Sequence, residues 1–263
     1  MVDFPANPKE RHGFELVFSD EFGGTSLDRS KWLPNMLPHW STLEASVADY
    51  RLGEGLLTLQ IDSNHQRWRL GGDRASNLST GQFSGMLGSA EGQFNWDGTL
   101  CVTTEVPEFR GFLPKFGFFE TRLRSSPVHG YHTALWLIGH DAPEAGEIRA
   151  FEIHGKNIGP DRSRVDYGML KWSDPTLTEE LFEDWLPIDA SEFHVYGLDW
   201  TPTHVDFYVD NQRIRRIPQS PRYAMQFMLG IYERPHETLP DDPTPYPRTI
   251  EVDYFRGYRR RGG

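Results

Sequence analysis

Phe116–Arg124 reads FGFFETRLR, and its alternation decides the fold. Successive side chains of an extended chain point to opposite faces. Phe119, Thr121 and Leu123 therefore share one face, and Glu120, Arg122 and Arg124 share the other. The same period recurs on both sides of this stretch. Leu56–Ile61 (LLTLQI) groups Leu57, Leu59 and Ile61, and His194–Trp200 (HVYGLDW), Val205–Val209 (VDFYV) and Thr249–Tyr258 (TIEVDYFRGY) alternate in the same way. His132–Gly139 (HTALWLIG) is a further strand, and His140–Ala145 (HDAPEA) after it reads as a turn. Asp210 and Asn211, between VDFYV and QRIRRI, predict a tight hairpin because both residues tolerate positive φ. The 19 prolines fall mostly between the strand-like runs. Only Pro175–Trp185 (PTLTEELFEDW) reads as helical. So many half-buried strands predict an all-β protein, a two-sheet antiparallel β-sandwich of jelly-roll type.

No repeat, low-complexity segment or linker divides the 263 residues. The expected organisation is an N-terminal extension over residues 1–13 and one domain over 14–263, a size that all-β domains often reach. A net charge of −11 repels phosphate backbones, so nucleic acid is not an expected partner. The basic run Arg256–Arg261 (RGYRRR) is expected to be a solvated tail. Cys101 is the only cysteine, which excludes an intramolecular disulfide. No apolar run approaches the roughly 18 residues of a membrane span, and the first residues, MVDFPANPKERHGF, have no apolar leader core. A membrane partner is not expected, and the chain is expected to be a monomer. The 17 Phe, 10 Tyr and 8 Trp suit a β-rich core or a surface that stacks on sugar rings.

The chemistry centres on Gly146–Glu152 (GEIRAFE), which carries Glu147 and Glu152. Glutamates at this spacing point to opposite faces of a regular strand. A single β-bulge inserts one residue and returns both to one face, and bulges recur beside active sites. Two carboxylates brought to about 5–5.5 Å would suit retaining glycoside hydrolysis. Taken alone, the spacing also fits solvated surface glutamates.

GEIRAFE resembles the catalytic motif of glycoside hydrolase family 16, the laminarinases, lichenases and relatives, written G-E-I-D-x-x-E. Glu15–Trp32 (ELVFSDEFGGTSLDRSKW) is similar to the family's N-terminal signature. Phe116–Arg124 with His132–Leu137 is similar to its Y-G-R-F-E-x-R…W-P-A-F-W-M block. Phe193–Asn211 and Ile250–Tyr258 are similar to its closing strands. The resemblance implies a jelly roll with a concave glycan-binding cleft, Glu147 as nucleophile, Glu152 as acid/base, and no cofactor needed for catalysis. It also implies a structural calcium held by Glu21, the Gly53 carbonyl and Asp253, since oxygen ligands suit that ion.

Several positions depart from the pattern. Arg149 stands where the family has Asp, and on a strand it shares a face with Glu147. A guanidinium close to a carboxylate lowers its pKa by about 1–3 units. That suits a nucleophile but disfavours a general acid. Alternatively, Arg149 turns aside to another acidic group, or grips an acidic or densely hydroxylated substrate. His132 replaces the first Trp of the W-P-A-F-W block, and Trp136 keeps the second as a stacking platform or a core residue. The family's H-G-T-x-H becomes Tyr167–Lys171 (YGMLK), with Trp172 following as a replacement platform. His154 alternates onto the Glu152 face, where it tunes protonation or plays a structural part. The expected function is retaining endo-hydrolysis of β-1,3- or β-1,3/1,4-glucan. The alternatives are a galactan-type or modified glycan as substrate, or a catalytically impaired glycan-binding protein. A polymeric glycan as substrate makes secretion the expected localisation.

Overall fold

The computed structural model describes residues 2–69, 72–96, 98–140, 145–239 and 244–262. Of the turn expected at 140–145, positions 141–144 lie outside the described residues. The strands in chain order are β1 (Phe14–Asp20), β2 (Asp49–Gly53), β3 (Leu56–Ile61), β4 (Ala75–Ser79), β5 (Gly81–Gln82), β6 (Phe109–Arg110), β7 (Gly117–Arg124), β8 (Tyr131–Gly139), β9 (Glu147–His154), β10 (Ser163–Leu170), β11 (Glu180–Leu186), β12 (His194–Trp200), β13 (Val205–Val209), β14 (Gln212–Ile217), β15 (Met225–Glu233) and β16 (Arg248–Arg260). The back sheet runs β14-β13-β12-β7-β16-β3-β2, with β1 paired to the second half of β16. The front sheet runs β11-β10-β9-β8-β15-β4. All these pairings are antiparallel, which gives the two-sheet jelly-roll sandwich that the alternation predicts.

The alternating residues meet between the sheets. Leu57, Leu59, Ile61, Phe119 and Leu123 from the back sheet pack in one cluster with Leu135, Leu137, Ile148, Phe151 and Ile153 from the front. Phe227 of β15 ties the layers together, with its ring centroid 4.8 Å from Phe119 and 4.9 Å from Phe255. Burying each such side chain contributes about 1.5–3 kcal/mol, so this shared face holds the sheets in register. Asp210 and Asn211 form the predicted hairpin, at φ 49° and 64°.

Two expectations fail. Pro175–Trp185 does not form a helix, because Glu180–Leu186 is the edge strand β11, paired along β10 from Ser163↔Leu186 to Met169↔Glu180. Its Glu- and Leu-rich composition favours a helix locally, but the ladder and the packing of Phe182 against Tyr167 (5.9 Å between centroids) override that preference. The solvated tail expected at Arg256–Arg261 fails only for its first half. Arg256 is 4% exposed and pairs with Glu21, whereas Arg259–Arg261 are exposed, Arg259 reaching Glu15 of β1 and Arg260 reaching Asp199 of β12. The N-terminal segment crosses the outer face of the back sheet. Phe4 N–H donates to the Phe193 carbonyl (2.7 Å), and the Asn7 amide donates to Glu120 (2.9 Å).

Candidate active site

Strands β4, β8, β9 and β15 of the front sheet supply the floor of a cavity of about 630 Å³ on its outer face. On β9 the pairing with β8 steps from Leu135↔Phe151 to Trp136↔Arg149, so Ala150 is the extra residue of a bulge. Opposite, β10 passes from Asp166↔Glu152 to Gly168↔Arg149. Gly168 adopts φ 145°, and a side chain there would collide with the Glu180 carbonyl of β11, so only glycine lets β11 close beside the bulge. As a result Glu147, Arg149 and Glu152 line the cavity, while Ile148, Phe151 and Ile153 enter the core. This is the geometry that the spacing of the two glutamates requires.

Arg149 sits between the two carboxylates, with Nε 3.7 Å from Glu147 Oε1 and Nη1 3.0 Å from Glu152 Oε2. It does not turn aside. Trp172, at φ 38° just after β10, donates its indole N–H to Glu147 Oε2 at 2.9 Å. Glu152 Oε1 faces Arg234 Nη2 at 3.0 Å, His154 Nε2 at 3.0 Å and His132 Nε2 at 3.4 Å. Glu147 and Glu152 are 5% and 4% exposed, so both sit where charge is costly and their partners decide their ionisation.

The partners differ, and so do the outcomes. Burial pushes Glu147 up to about 7, against the opposing pull of Arg149 and Trp172. Burial also acts to raise Glu152. The His154 imidazole and the Arg149 and Arg234 guanidiniums override it and hold that carboxyl well below the ordinary carboxylate range. Burial lowers His132 to about 3, so its ring is neutral near neutral pH. Burial likewise acts against a charged His154, but its bonds to Glu152 and Glu237 outweigh this and raise it above the ordinary imidazole value. Near pH 7 Glu147 is therefore close to its midpoint, His154 is biased toward the cation and Glu152 toward the anion.

The cavity walls are aromatic. Phe94 stands 5.1 Å from Trp136, 5.2 Å from Trp172 and 5.6 Å from Trp96, and Trp68 lies 5.9 Å from Trp96. Trp136 lines the cavity yet is 8% exposed, and its indole N–H donates to the Tyr232 hydroxyl at 2.8 Å. It combines the core and platform roles. Trp172 is 36% exposed, so more of its ring is open to a ligand. Of the five expected substrate residues, His132 and His154 meet Glu152, Trp172 meets Glu147, Arg149 meets both, and Trp136 lines the same cavity. Sequence reading missed Trp68, Phe94, Trp96, Tyr232, Arg234 and Glu237. Most come from segments without periodicity, and their one visible sign is the tryptophans in QRWRL and QFNWD.

The implied calcium does not fit these residues. Both oxygens of Glu21 are taken by Arg256, at 2.9 Å from Nε and 2.8 Å from Nη2, and Asp253 accepts from Arg122 Nη1 at 2.7 Å. Guanidinium groups occupy the carboxylates that a cation would need, and the described residues hold no group of three or more His, Cys, Asp or Glu side chains able to bind a metal.

A jelly roll whose outer sheet face carries paired glutamates beneath aromatic walls has the features of a glycoside hydrolase. The sequence model of glycosyl hydrolases family 16 matches residues 111–251, and the chain belongs to that family. A β-glucanase of Rhodothermus marinus is 24% identical over 98% of this chain and 90% of its own length. The GlcNAcα1-4Gal-releasing endo-β-galactosidase of Clostridium perfringens superposes with a TM-score of 0.87 at 32% identity, covering 100% of this chain and 66% of that one. The catalytic domain of a Thermotoga petrophila laminarinase superposes at 0.65 with 18% identity, over 95% of this chain and 99% of that one. The chain thus spans just under two thirds of the clostridial enzyme. It also spans 38% of glucan endo-1,3-β-glucosidase A1 of Niallia circulans, to which it is 22% identical over 95% of its length. No described helix is long and apolar enough to cross a membrane.

Proposed function

We propose that this chain is a retaining endo-glycosidase that cuts a β-galactosyl linkage within a glycan. The observation that carries the chemistry is the single guanidinium of Arg149 touching both Glu147 and Glu152 on one face of a bulged strand. Glu147 is the nucleophile. Its carboxylate forms an ester to the anomeric carbon while Glu152 gives a proton to the departing sugar oxygen. Glu152 then takes a proton from water, whose oxygen displaces Glu147. Attack requires Glu147 ionised and Glu152 protonated, the reverse of the bias in the free cleft. Arg149, in contact with both, lowers the cost of moving the negative charge from one to the other.

The galactosyl assignment is supported by the 32% identity and TM-score of 0.87 to the clostridial endo-β-galactosidase, against 18% and 0.65 for the laminarinase domain. A second reading, hydrolysis of β-1,3- or β-1,3/1,4-glucan, is supported by the full-length match to the Rhodothermus β-glucanase. The test is to incubate the purified protein and Glu147→Gln with β-1,3-glucan, mixed-linkage glucan, β-galactans and galactose-containing mucin-type glycans. New reducing ends from galactose-containing polymers alone, absent with Glu147→Gln, are the expected result. Release from glucans would favour the second reading. Binding without turnover across pH 4–9 would leave a glycan-binding protein.

A further inference from the structure

The proposed acid, Glu152, is gripped by two arginines, so it is poorly suited to take a proton from bulk water by itself. Its neighbour His154 is placed to supply one. Nε2 of His154 lies 3.0 Å from Glu152 Oε1, and Nδ1 lies 3.0 Å from Glu237 Oε2. The first contact lies within β9, and the second comes from another element. Glu237 comes from the short 3-10 turn Pro235–Glu237 after β15, and Lys156 Nζ fixes its other oxygen at 2.9 Å. An imidazole with an ionised carboxylate on each ring nitrogen satisfies both only by donating from both, which is the cation.

Resting on the reading just given, we infer that His154, clamped by Glu237, is the proton store that charges Glu152 for leaving-group departure. When the glycosidic oxygen arrives, Nε2–H passes its proton to Glu152 Oε1, and Glu152 passes one to the departing oxygen. His154 is left neutral, with Nδ1–H still donated to Glu237. In the second half-reaction Glu152 takes the proton of the attacking water and returns it to Nε2. Counted from ionised Glu147, whose own proton leaves to solvent before attack, the cycle ends as it began and Glu152 draws no proton from bulk water. His154 acts through Glu152, so it is a positioning and relay residue rather than one that touches the sugar.

The groups that set the charge of His154 come from every element around it. They are Glu152 on its own strand, the His132 ring stacked at 5.2 Å from β8, Asp166 Oδ2 at 3.8 Å from β10, and Glu237 from the turn. Lys156 and His236 reach it through Glu237, and Arg149 and Arg234 reach it through Glu152. This relay also gives a reason for an acid that tolerates Arg149 at its side.

The test joins ring-nitrogen NMR of His154 across pH with kinetics, in wild type, Glu237→Gln and His154→Gln. His154 is expected to stay cationic through neutral pH in the wild type and to fall back toward the ordinary imidazole range in Glu237→Gln. On glycans with a sugar leaving group, kcat is expected to drop about 10–100-fold in both variants, and the alkaline limb of the pH profile to move to lower pH. An aryl glycoside with an activated leaving group needs little acid assistance and should lose far less. Thermal melts confirm that the variants are folded, and Glu237→Gln carries the test if His154→Gln is not. A neutral His154 at pH 6 in the wild type overturns the inference. So does a wild-type enzyme that hydrolyses glycans while both variants keep its pH profile. A wild type inert on every glycan sinks the hydrolase reading itself, and the relay with it.

Discussion

Two buried carboxylate clusters lie on opposite faces of this sandwich, and both set glutamates against arginines. On the back sheet, Glu120 is 1% exposed and meets the Asn7 amide at 2.9 Å, the Tyr258 hydroxyl at 3.3 Å, Arg256 at 3.6 Å and Arg11 at 3.8 Å. On the front sheet, Glu147 and Glu152 meet Arg149, Arg234, two histidines and an indole. The back cluster is roofed by the N-terminal segment, and its acids are answered by donors from that segment and from β16. The front cluster opens into the cavity, and its donors are unequally shared, four groups facing Glu152 while Arg149 and Trp172 serve Glu147. A buried acid whose partners come from all sides stabilises the fold. A buried pair supplied unequally, with one face left open, stores a proton on the wrong carboxyl and is ready for chemistry.

The sharpest way to break this comparison is to neutralise each acid in turn. Glu147→Gln or Glu152→Gln should lower hydrolysis about 10³-fold or more while leaving the melting temperature near that of the wild type. Glu120→Gln should do the opposite, with kcat/KM within about 3-fold and a clear fall in stability. Assays of reducing ends beside thermal melts check both. Next in size, Arg256→Met strips a buried cation from Glu21 and Glu120, and urea unfolding should show a loss on the order of 3 kcal/mol with kinetics preserved. A third test addresses the sharing itself. Arg149 pulls both glutamates downward, so Arg149→Asp should raise both. Glu152 is the lower of the two and Glu147 the higher. The acid limb of the pH–rate profile therefore follows Glu152 and the alkaline limb follows Glu147 together with His154, and both should move to higher pH. An unmoved profile would mean that Arg149 does not control the pair. The smallest effect is expected for Trp172→Phe, which keeps a ring but removes the N–H donated to Glu147. It should raise Glu147 alone, moving the alkaline limb to higher pH and leaving the acid limb in place, and lower kcat a few-fold.

Much of this was legible in the chain before any coordinates. The alternation of Phe116–Arg124 and Leu56–Ile61 marked which side chains enter the core, because a half-buried strand writes its two faces into sequence. The glutamate spacing in GEIRAFE demanded a bulge, and Ala150 is where it falls. Other features were hidden for identifiable reasons. β11 carries helix-favouring residues and is a strand only because β10 offers it a partner. The RGYRRR run reads as solvated throughout, and Arg256 is buried only because Glu21 arrives from a distant position to meet it. Arg234 and Glu237 act on Glu152 and His154 from a turn 80 or more residues away along the chain, and Trp68, Phe94 and Trp96 meet only when non-periodic segments fold over the sheet.

The central claim is that the glutamates joined by Arg149 carry out a double displacement. It is tested most directly by following the first-formed anomer by proton NMR as the wild type hydrolyses a β-galactosyl glycan. The account predicts that the β-anomer of the new reducing end appears first and mutarotates afterwards. Initial appearance of the α-anomer would show a single inversion and contradict the assignment of Glu147 as nucleophile.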